Sequence, residues 1–443
     1  MHTTPSTVRP QAGTRVLDGV TPYHWLVVII ASCGWLFDCM DQRLFILARE
    51  SALREMLQAD PAALASLKTY AGYATTSMIL GWATGGMIFG MMSDRAGRVK
   101  TMVATLVVYS LFTGLCGLAR TWVDFTIYRF LAGIGIGGMF GAATTLVAES
   151  VPANFRAVAL GALQALSATG NIIGSLISLQ IPPGATNVVG GHAGWRVLFF
   201  VGLLPALLVV PTIFLLREPQ PWLEARANAL AGRGAKTGSA SDLFRDPRWR
   251  RSAVVGLFLG LAGMVGLWGI GFFSPELISV ALVGAPQAVV DTVRGWGTAL
   301  QDVGSFVGML VFTVVAARLS RRVAFLCAFL LSMLTTMYVF YSLRSASDAY
   351  WMLPMMGFAQ LAVFAGYSIY FPEIFPTRLR GTGVGFCYNT VRYLAAPAPI
   401  LLGYLATLMS FRTAAVSMST IYLVGVVALI WAPETKGRPL PED

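Results

Sequence analysis

Gly90-Met-Met-Ser-Asp94-Arg95-Ala-Gly97-Arg98-Val-Lys100 lies between two long apolar runs. One acid, three bases and two glycines in so short a turn are not accommodated in hydrocarbon. The segment is therefore a tight, water-facing link between two membrane helices. Lys and Arg favour the cytoplasmic side of a membrane protein, so the link also sets which way the chain threads.

The composition around it agrees. The 443 residues are 56% hydrophobic and 12% charged, with a mean hydropathy of +0.67. A soluble globular chain carries roughly 25% charged residues, so most of this surface faces lipid. A helix that crosses a bilayer needs about 20 apolar residues. Such runs fall near 24–47, 69–92, 101–119, 122–148, 158–180, 197–216, 252–273, 293–316, 322–341, 349–370, 382–406 and 412–432. The fold expected is an all-α membrane protein with twelve transmembrane helices in two pseudo-symmetric six-helix bundles. Residues 1–20 read as a cytoplasmic tail and 21–216 as the N-terminal bundle. Residues 217–251 read as a cytoplasmic linker with amphipathic pieces on the inner leaflet. Residues 252–432 read as the C-terminal bundle and 433–443 as a second cytoplasmic tail, with 48–68 the longest outside loop.

A net charge of +11 would suit nucleic acid only if the bases shared one folded surface with aromatics between them, and they do not. Threaded through the twelve runs, 21 of the 32 Lys and Arg fall on one side and eight on the other, with Arg43, Arg129 and Arg392 inside spans. That asymmetry puts both termini in the cytoplasm and makes the chain multi-pass in the cytoplasmic (inner) membrane. The first apolar run is too long for a signal peptide, and no small-residue cleavage site follows it. Cys33, Cys39, Cys116, Cys327 and Cys387 lie in apolar runs without metal-ligand spacing, as core cysteines do. His2, His24 and His192 lie at termini or loop edges. No metal, cofactor or catalytic group is expected, and the chain reads as a non-enzyme. It has no Walker loop, so transport would run on gradients.

G-x-x-x-D-R-x-G-R-x-K resembles the signature loop after the second helix of major facilitator superfamily transporters. The chain also repeats internally. Glu149-Ser-Val-Pro152-Ala-Asn-Phe-Arg156 and Glu373-Ile-Phe-Pro376-Thr-Arg-Leu-Arg380 both read E-x-x-P-x-x-x-R, 224 residues apart. Arg318-Leu-Ser-Arg321-Arg322 matches Arg95-Ala-Gly-Arg98-Val at an offset of 223, with Ala317 where Asp94 stands. Parallel six-helix repeats that hold substrate between them near the midplane are a known transporter arrangement. Asp94, Arg95, Arg98, Glu149, Arg156, Arg318, Glu373, Arg378 and Arg380 then belong at the inner ends of helices, where opposite charges can pair across the halves. Each partly exposed pair contributes about 0–1 kcal/mol. A ring of several can still bias an equilibrium of a few kcal/mol. The resemblance implies that such pairs latch the outward-facing state. Arg321 and Arg322 fit solvated topology anchors equally well.

Within the first span, Trp35-Leu-Phe-Asp38-Cys-Met-Asp41-Gln-Arg43 carries two carboxylates on one helix face. Carboxylates in hydrocarbon are costly, and two close together repel, so a proton held by the pair relieves both costs. Arg43 has two open placements, outward to the interface or toward Asp41, and a structural ion pair is the bland alternative. The D-x-x-D spacing resembles the aromatic-acid and sialate proton symporters of the superfamily, with Cys39 where those usually carry Gly. Arg129-x-x-x-Gly133-x-x-x-Gly137 resembles the second superfamily motif, which implies a role in proton coupling; a buried structural pair is the alternative.

Arg380-Gly-Thr-Gly-Val-Gly-Phe-Cys-Tyr388-Asn389-Thr-Val-Arg392 runs from one face to mid-bilayer and resembles the eleventh helix of organic-ion and sialate-type transporters. Arg is charged at any relevant pH and its planar fork matches a carboxylate. Arg392 is therefore the expected anion clamp, balanced by Asp302 when empty. Gln164, Asn171, Gln301, Gln360 and Tyr367 are further candidates to line the cavity; singly, such residues are more often helix–helix hydrogen bonds. Trp431-Ala-Pro433-Glu434-Thr435-Lys436-Gly437 resembles the sugar-porter and organic-ion-transporter ending. The seventh span lacks the glutamine pair of sugar porters. The expectation is a secondary transporter, monomeric in function, that moves a small organic anion with a proton. Arg392 holds the carboxylate, Asp38 or Asp41 carries the proton, and Arg129 tunes it. The rivals are a proton-coupled sugar transporter and, from another class, a ligand sensor on a transporter fold.

Overall fold

The computed structural model describes residues 16–65, 67–188, 190–232 and 237–442. Residues 1–15 of the expected tail lie outside them. Among the described residues, twelve helical spans follow one another, ten of them long and apolar enough on their own to cross a membrane. In the first bundle are α1 (Pro22–Leu57), α2 (Leu67–Ala96), α3 (Arg98–Cys116), α4 (Trp122–Ser150), α5 (Ala153–Gln180) and α6 (Gly194–Leu215). The second holds α7 (Pro247–Ala281), α8 (Gln287–Arg318), α9 (Arg321–Ser342), α10 (Ala346–Glu373), α11 (380–408) and α12 (Phe411–Ala428). Two short helices, Gln220–Leu230 and Ala240–Arg245, lie in the linker between them. A π turn interrupts α7 at Val265–Ile270 and another interrupts α11 at Phe386–Thr390.

The repeat seen in the sequence reaches down to single hydrogen bonds. At the start of α4, the Asp124 amide donates to Thr121 Oγ1 and the Thr121 amide to the Asp124 carboxylate, both at 3.1 Å. One repeat later, Ser345 and Asp348 cap α10 in the same way, at 2.9 and 3.2 Å. Reciprocal capping satisfies two otherwise orphaned amides. At Gly97 the backbone has φ 119°, which favours glycine and turns α2 tightly into α3. The Arg98, Val99 and Lys100 amides at the head of α3 then donate to Glu218, just past α6, at 2.7, 3.1 and 3.3 Å. In the second half, the Arg321 and Arg322 amides at the head of α9 donate to Glu434, just past α12, at 3.1 and 3.3 Å. Burial alone would raise the Glu434 carboxyl, but the Ser320 hydroxyl and these amides hold it below its ordinary range.

Glycine decides how the helices meet. A Cβ at Gly81 or Gly85 of α2 would collide with the Phe130 or Ile134 carbonyl of α4. Gly304 and Gly308 of α8 stand equally close to the Pro354 and Phe358 carbonyls of α10, one repeat on. Small residues at four-residue spacing let backbones touch where no hydrophobic force drives helices together. Between the halves, α2 meets α11 through Gly86, Gly90, Gly381 and Gly385, while α5 meets α8 at Gly161 and Thr313.

One expectation about loops needs correction. Residues 48–68 are mostly helical: α1 continues to Leu57 and Pro61–Ala65 adds a short turn. Two of the charges there have partners within the bundle. Glu55 accepts from Trp195 Nε1 at 2.6 Å and Arg196 at 3.0 Å, and Arg49 donates to Thr75 Oγ1 at 2.7 Å.

Candidate functional site

Between the bundles lies a cavity of two lobes, about 450 and 760 Å³, which share Arg49, Trp82, Trp268 and Arg392 as wall. Lining residues such as Arg49 of α1, Pro275 of α7 and Thr298 of α8 belong to the helix ends farthest from the linker. At the linker end the Gly90 and Gly381 backbones are in contact and close the molecule.

Arg392 stands between the lobes, only 5% exposed. Its Nη1 donates to the Tyr388 carbonyl at 2.6 Å and to Asn389 Oδ1 at 3.0 Å. Its guanidinium lies 3.8 Å from the Trp82 ring centroid and 4.7 Å from that of Tyr388. Aromatic faces offset part of the cost of burying a cation but do not neutralise it. No acidic side chain lies within ion-pair distance of Arg392 among the described residues. Its Nε, the indole N–H groups of Trp35 and Trp82, and Gln42 Nε2 are buried donors without a hydrogen-bond partner among those residues. Donors left unmet around one cavity make it complementary to an acceptor-rich anion.

Asp302 does not balance Arg392, contrary to expectation. It pairs with Arg43 at 2.7 Å, joining α1 to α8 across the cavity, with both side chains about a quarter exposed (25% and 23%). Arg43 therefore neither snorkels nor reaches Asp41; the opposite bundle supplies its partner. Asp41 is held by Arg129 at 3.1 Å, both wholly buried, with the guanidinium 4.4 Å from the Phe45 ring. Asp38 is wholly buried, and neither of its oxygens has a hydrogen-bond partner among the described residues. The charges that act on it are Asp41, Arg392 and Arg129. Asp38 lies one helical turn before Asp41 on α1.

Tyr388, Gln164, Asn171, Gln301 and Asp302 line the first lobe. Tyr388 stacks on Phe140, centroids 3.7 Å apart, and Gln301 accepts from Ser274 at 2.8 Å. Asn389 lies behind the wall: it takes the Arg392 bond and itself donates to the Gly137 carbonyl of the other bundle at 3.4 Å. Gln360 and Tyr367 are not in the cavity. Gln360 donates to Thr336 at 2.9 Å, Tyr367 donates to the Leu259 carbonyl at 2.6 Å, and both are core residues of the second bundle. A single polar residue in a span cannot reveal which of its neighbouring helices it faces.

At the linker end the charges are buried, not partly exposed as anticipated. Glu149 accepts from Arg98 Nε and Nη2, each at 2.9 Å, and is also bound by Arg380 of the other bundle. Asp94 accepts from the Gly381 and Thr382 amides at 2.9 and 2.8 Å and from Thr382 Oγ1 at 2.6 Å. Arg156 and Arg380 make one repeated bond, each donating through Nε at 2.9 Å to a carbonyl, Ala148 and Pro372 respectively. Arg378 reaches Asp242 of the linker at 3.1 Å.

Two arginines expected in this cluster face outward instead. Arg95 and Arg318 are exposed and form no ion pair among the described residues. Arg321, for which a gate charge and a topology anchor fitted equally well, holds Glu373 through Nε at 3.1 Å and Nη2 at 2.9 Å, as Arg98 holds Glu149. The 223-residue offset already aligned Arg321 with Arg98 and was the available signal. Arg321→Gln is expected to destabilise the protein by about 3 kcal/mol by stranding a buried carboxylate. Arg318→Gln is expected to stay within about 0.5 kcal/mol of the parent. Denaturation in detergent compares the two; equal losses would contradict the assignment. Trp82, Trp268 and Glu218 were also missed, since tryptophan and acid positions show no role until the helices are packed.

The comparisons with known proteins agree with this architecture. A family model described as Major Facilitator Superfamily matches residues 31–397. The cis,cis-muconate transport protein of Acinetobacter baylyi is 29% identical over 83% of this chain and 86% of its own. The sialic acid transporter NanX of Escherichia coli K12 is 29% identical over 77% of this chain and 80% of its own. Among solved structures, the proton:xylose symporter XylE aligns with a TM-score of 0.76 at 19% identity, covering 94% of this chain and 98% of that one, which shows a shared fold. Two repeated six-helix bundles closed at one end, with a family match over most of the chain, make this protein a multi-pass membrane transporter, not an enzyme, and it belongs to the Major Facilitator Superfamily.

Proposed function

We propose that the protein moves a small organic carboxylate across the cytoplasmic membrane by proton symport, as a monomer that opens alternately to either face. The observation that carries this reading is Arg392: a buried guanidinium in the cavity wall with no acidic partner among the described residues. A neutral sugar would leave that charge unanswered. A carboxylate would answer it and take up the Trp35, Trp82 and Gln42 donors as well. The names of two relatives, a muconate and a sialic acid transporter, support an anionic substrate. The arginine-rich linker and the lysine and arginine asymmetry support a cytoplasmic linker and termini.

Proton coupling falls to Asp38, with the Asp41–Arg129 pair tuning it. Asp38 has no hydrogen bond among the described residues to lock it as an anion, and Arg392 acts on it electrostatically. A carboxylate bound at Arg392 cancels part of the positive field that favours ionised Asp38, so substrate and proton favour each other's binding. The test uses proteoliposomes with cis,cis-muconate or benzoate as substrate and a hexose as control. With one proton per substrate, a pH gradient of one unit should sustain about tenfold accumulation of the carboxylate and none of the hexose. Asp38→Asn should abolish that accumulation while substrate exchange without a gradient continues. Hexose uptake insensitive to Arg392 would reject the proposal in favour of a sugar transporter.

A further inference from the structure

A second concave site lies on the outer surface, away from the transport path. Where the linker ends of α7 and α12 diverge, a groove of about 710 Å³ runs along their lipid-facing side. Its wall is apolar: Val254, Phe258, Leu423, Val427 and Trp431 are exposed there, over a floor of Val255 and Ala428. At its linker end stand Arg250 and Arg251, both exposed, in the first turns of α7. Arg251 Nε donates to the Trp431 carbonyl at 3.1 Å, which pins this guanidinium at the mouth of the groove. Neither arginine has an acidic partner among the described residues, whereas neighbouring Arg248 is paired with Asp246.

We propose that this groove binds one anionic glycerophospholipid, its phosphate between Arg250 and Arg251 and an acyl chain along Phe258, Val424 and Val427. Two features of the groove select this occupant together. An apolar trough in a lipid-facing surface takes a hydrocarbon chain. Two unneutralised guanidiniums at the depth of the headgroups, beside the interfacial Trp431, select a negative charge. A free phosphate would use the arginines but not the trough, and a zwitterionic lipid would use the trough but bring its own counter-charge. The bound lipid would bridge the first turn of the second bundle to its last helix. The site is independent of what the central cavity carries.

Native mass spectrometry of the purified full chain in mild detergent tests this, with phosphatidylglycerol and phosphatidylcholine of identical acyl composition as probes. Two arginines at an anionic headgroup correspond to about thirtyfold preference for phosphatidylglycerol, about 2 kcal/mol at 1.4 kcal/mol per tenfold. R250Q/R251Q should reduce that preference to near one. V424W, which fills the trough and keeps both charges, should lose the tightly retained lipid of either kind. Glycerol phosphate, which has no chains, should not be retained. Equal retention of the two lipids by the parent protein would overturn the proposal, as would a preference that survives in R250Q/R251Q. A dimer that retains no lipid would assign the groove to a second copy of the chain and overturn it too.

Discussion

Arg392→Gln is expected to lower carboxylate uptake at least about a hundredfold while the protein remains folded. Removing one partner of a buried charge pair costs about 2–5 kcal/mol. In the parent protein the guanidinium is held ready by the Tyr388 carbonyl, Asn389 and the faces of Trp82 and Tyr388. Little of its order has to be created when substrate arrives, so most of the charge interaction appears as affinity. The folded state loses no acidic partner in the exchange, because none is within ion-pair distance among the described residues. Arg392→Lys keeps the charge but not the planar fork, and about a tenfold loss is expected. Uptake into proteoliposomes measures both. The rise in unfolding temperature that cis,cis-muconate gives the parent should vanish in Arg392→Gln. Unchanged uptake would remove Arg392 from the binding site.

The second large effect is expected at the linker end. Glu149 neutralises Arg98 of its own bundle and Arg380 of the other. At the linker end the Arg380 contact, the bonds of Asp94 to Gly381 and Thr382, and the Arg98 Nη2 bond to the Thr377 carbonyl at 2.7 Å cross between the halves, so these belong to the closed linker face. Glu149→Gln leaves Arg380 buried without its partner carboxylate, at a cost of about 3 kcal/mol or more. Opening the linker face gives that arginine access to water, so the population should shift toward the open form by roughly a hundredfold. The readout is a cysteine at Ser93, a buried position beside Gly381, with the five native cysteines replaced. A thiol reagent applied from the linker side should label it far faster in Glu149→Gln.

Glu373→Gln is the internal comparison. Its carboxylate is held by Arg321 and by Thr435 at 2.6 Å, both in its own half, and Arg156 does not come within ion-pair range. Its loss should lower stability without changing the labelling rate. Equal acceleration in both variants would mean that the two glutamates act alike and that Glu149 has no special part in closing the linker face.

Much of the fold is legible along the chain because a bilayer imposes it. Runs of about 20 apolar residues have to be helices, since no other single segment satisfies its own backbone in hydrocarbon. The turn at Gly97 and the twice-used E-x-x-P-x-x-x-R are local patterns, and a repeat offset of 223–224 residues carries over from the letters to the atoms. Arg321 shows the limit of reading each motif singly. The match Arg318-x-x-Arg321 preserved the register of Arg98, yet the loss of the acid at Ala317 obscured which arginine was buried. The end of α1 is hidden for a related reason: Arg49 and Glu55 look like loop residues until Thr75, Trp195 and Arg196 provide their partners.

Sequence alone determined the number of crossings, the two-fold repeat, the identity of the ionisable residues inside the membrane and the cluster of charges at one end. Each of these depends on composition, spacing or cost in hydrocarbon, which are properties of a segment and its solvent. Tertiary packing alone decided which charge meets which: Arg43 with Asp302, Arg129 with Asp41, Arg380 with Glu149, and Arg392 with no acid among the described residues. A helix face says that a side chain points inward, but its partner comes from another helix tens to hundreds of residues away. The close backbone approaches at the paired glycines bring those distant faces together.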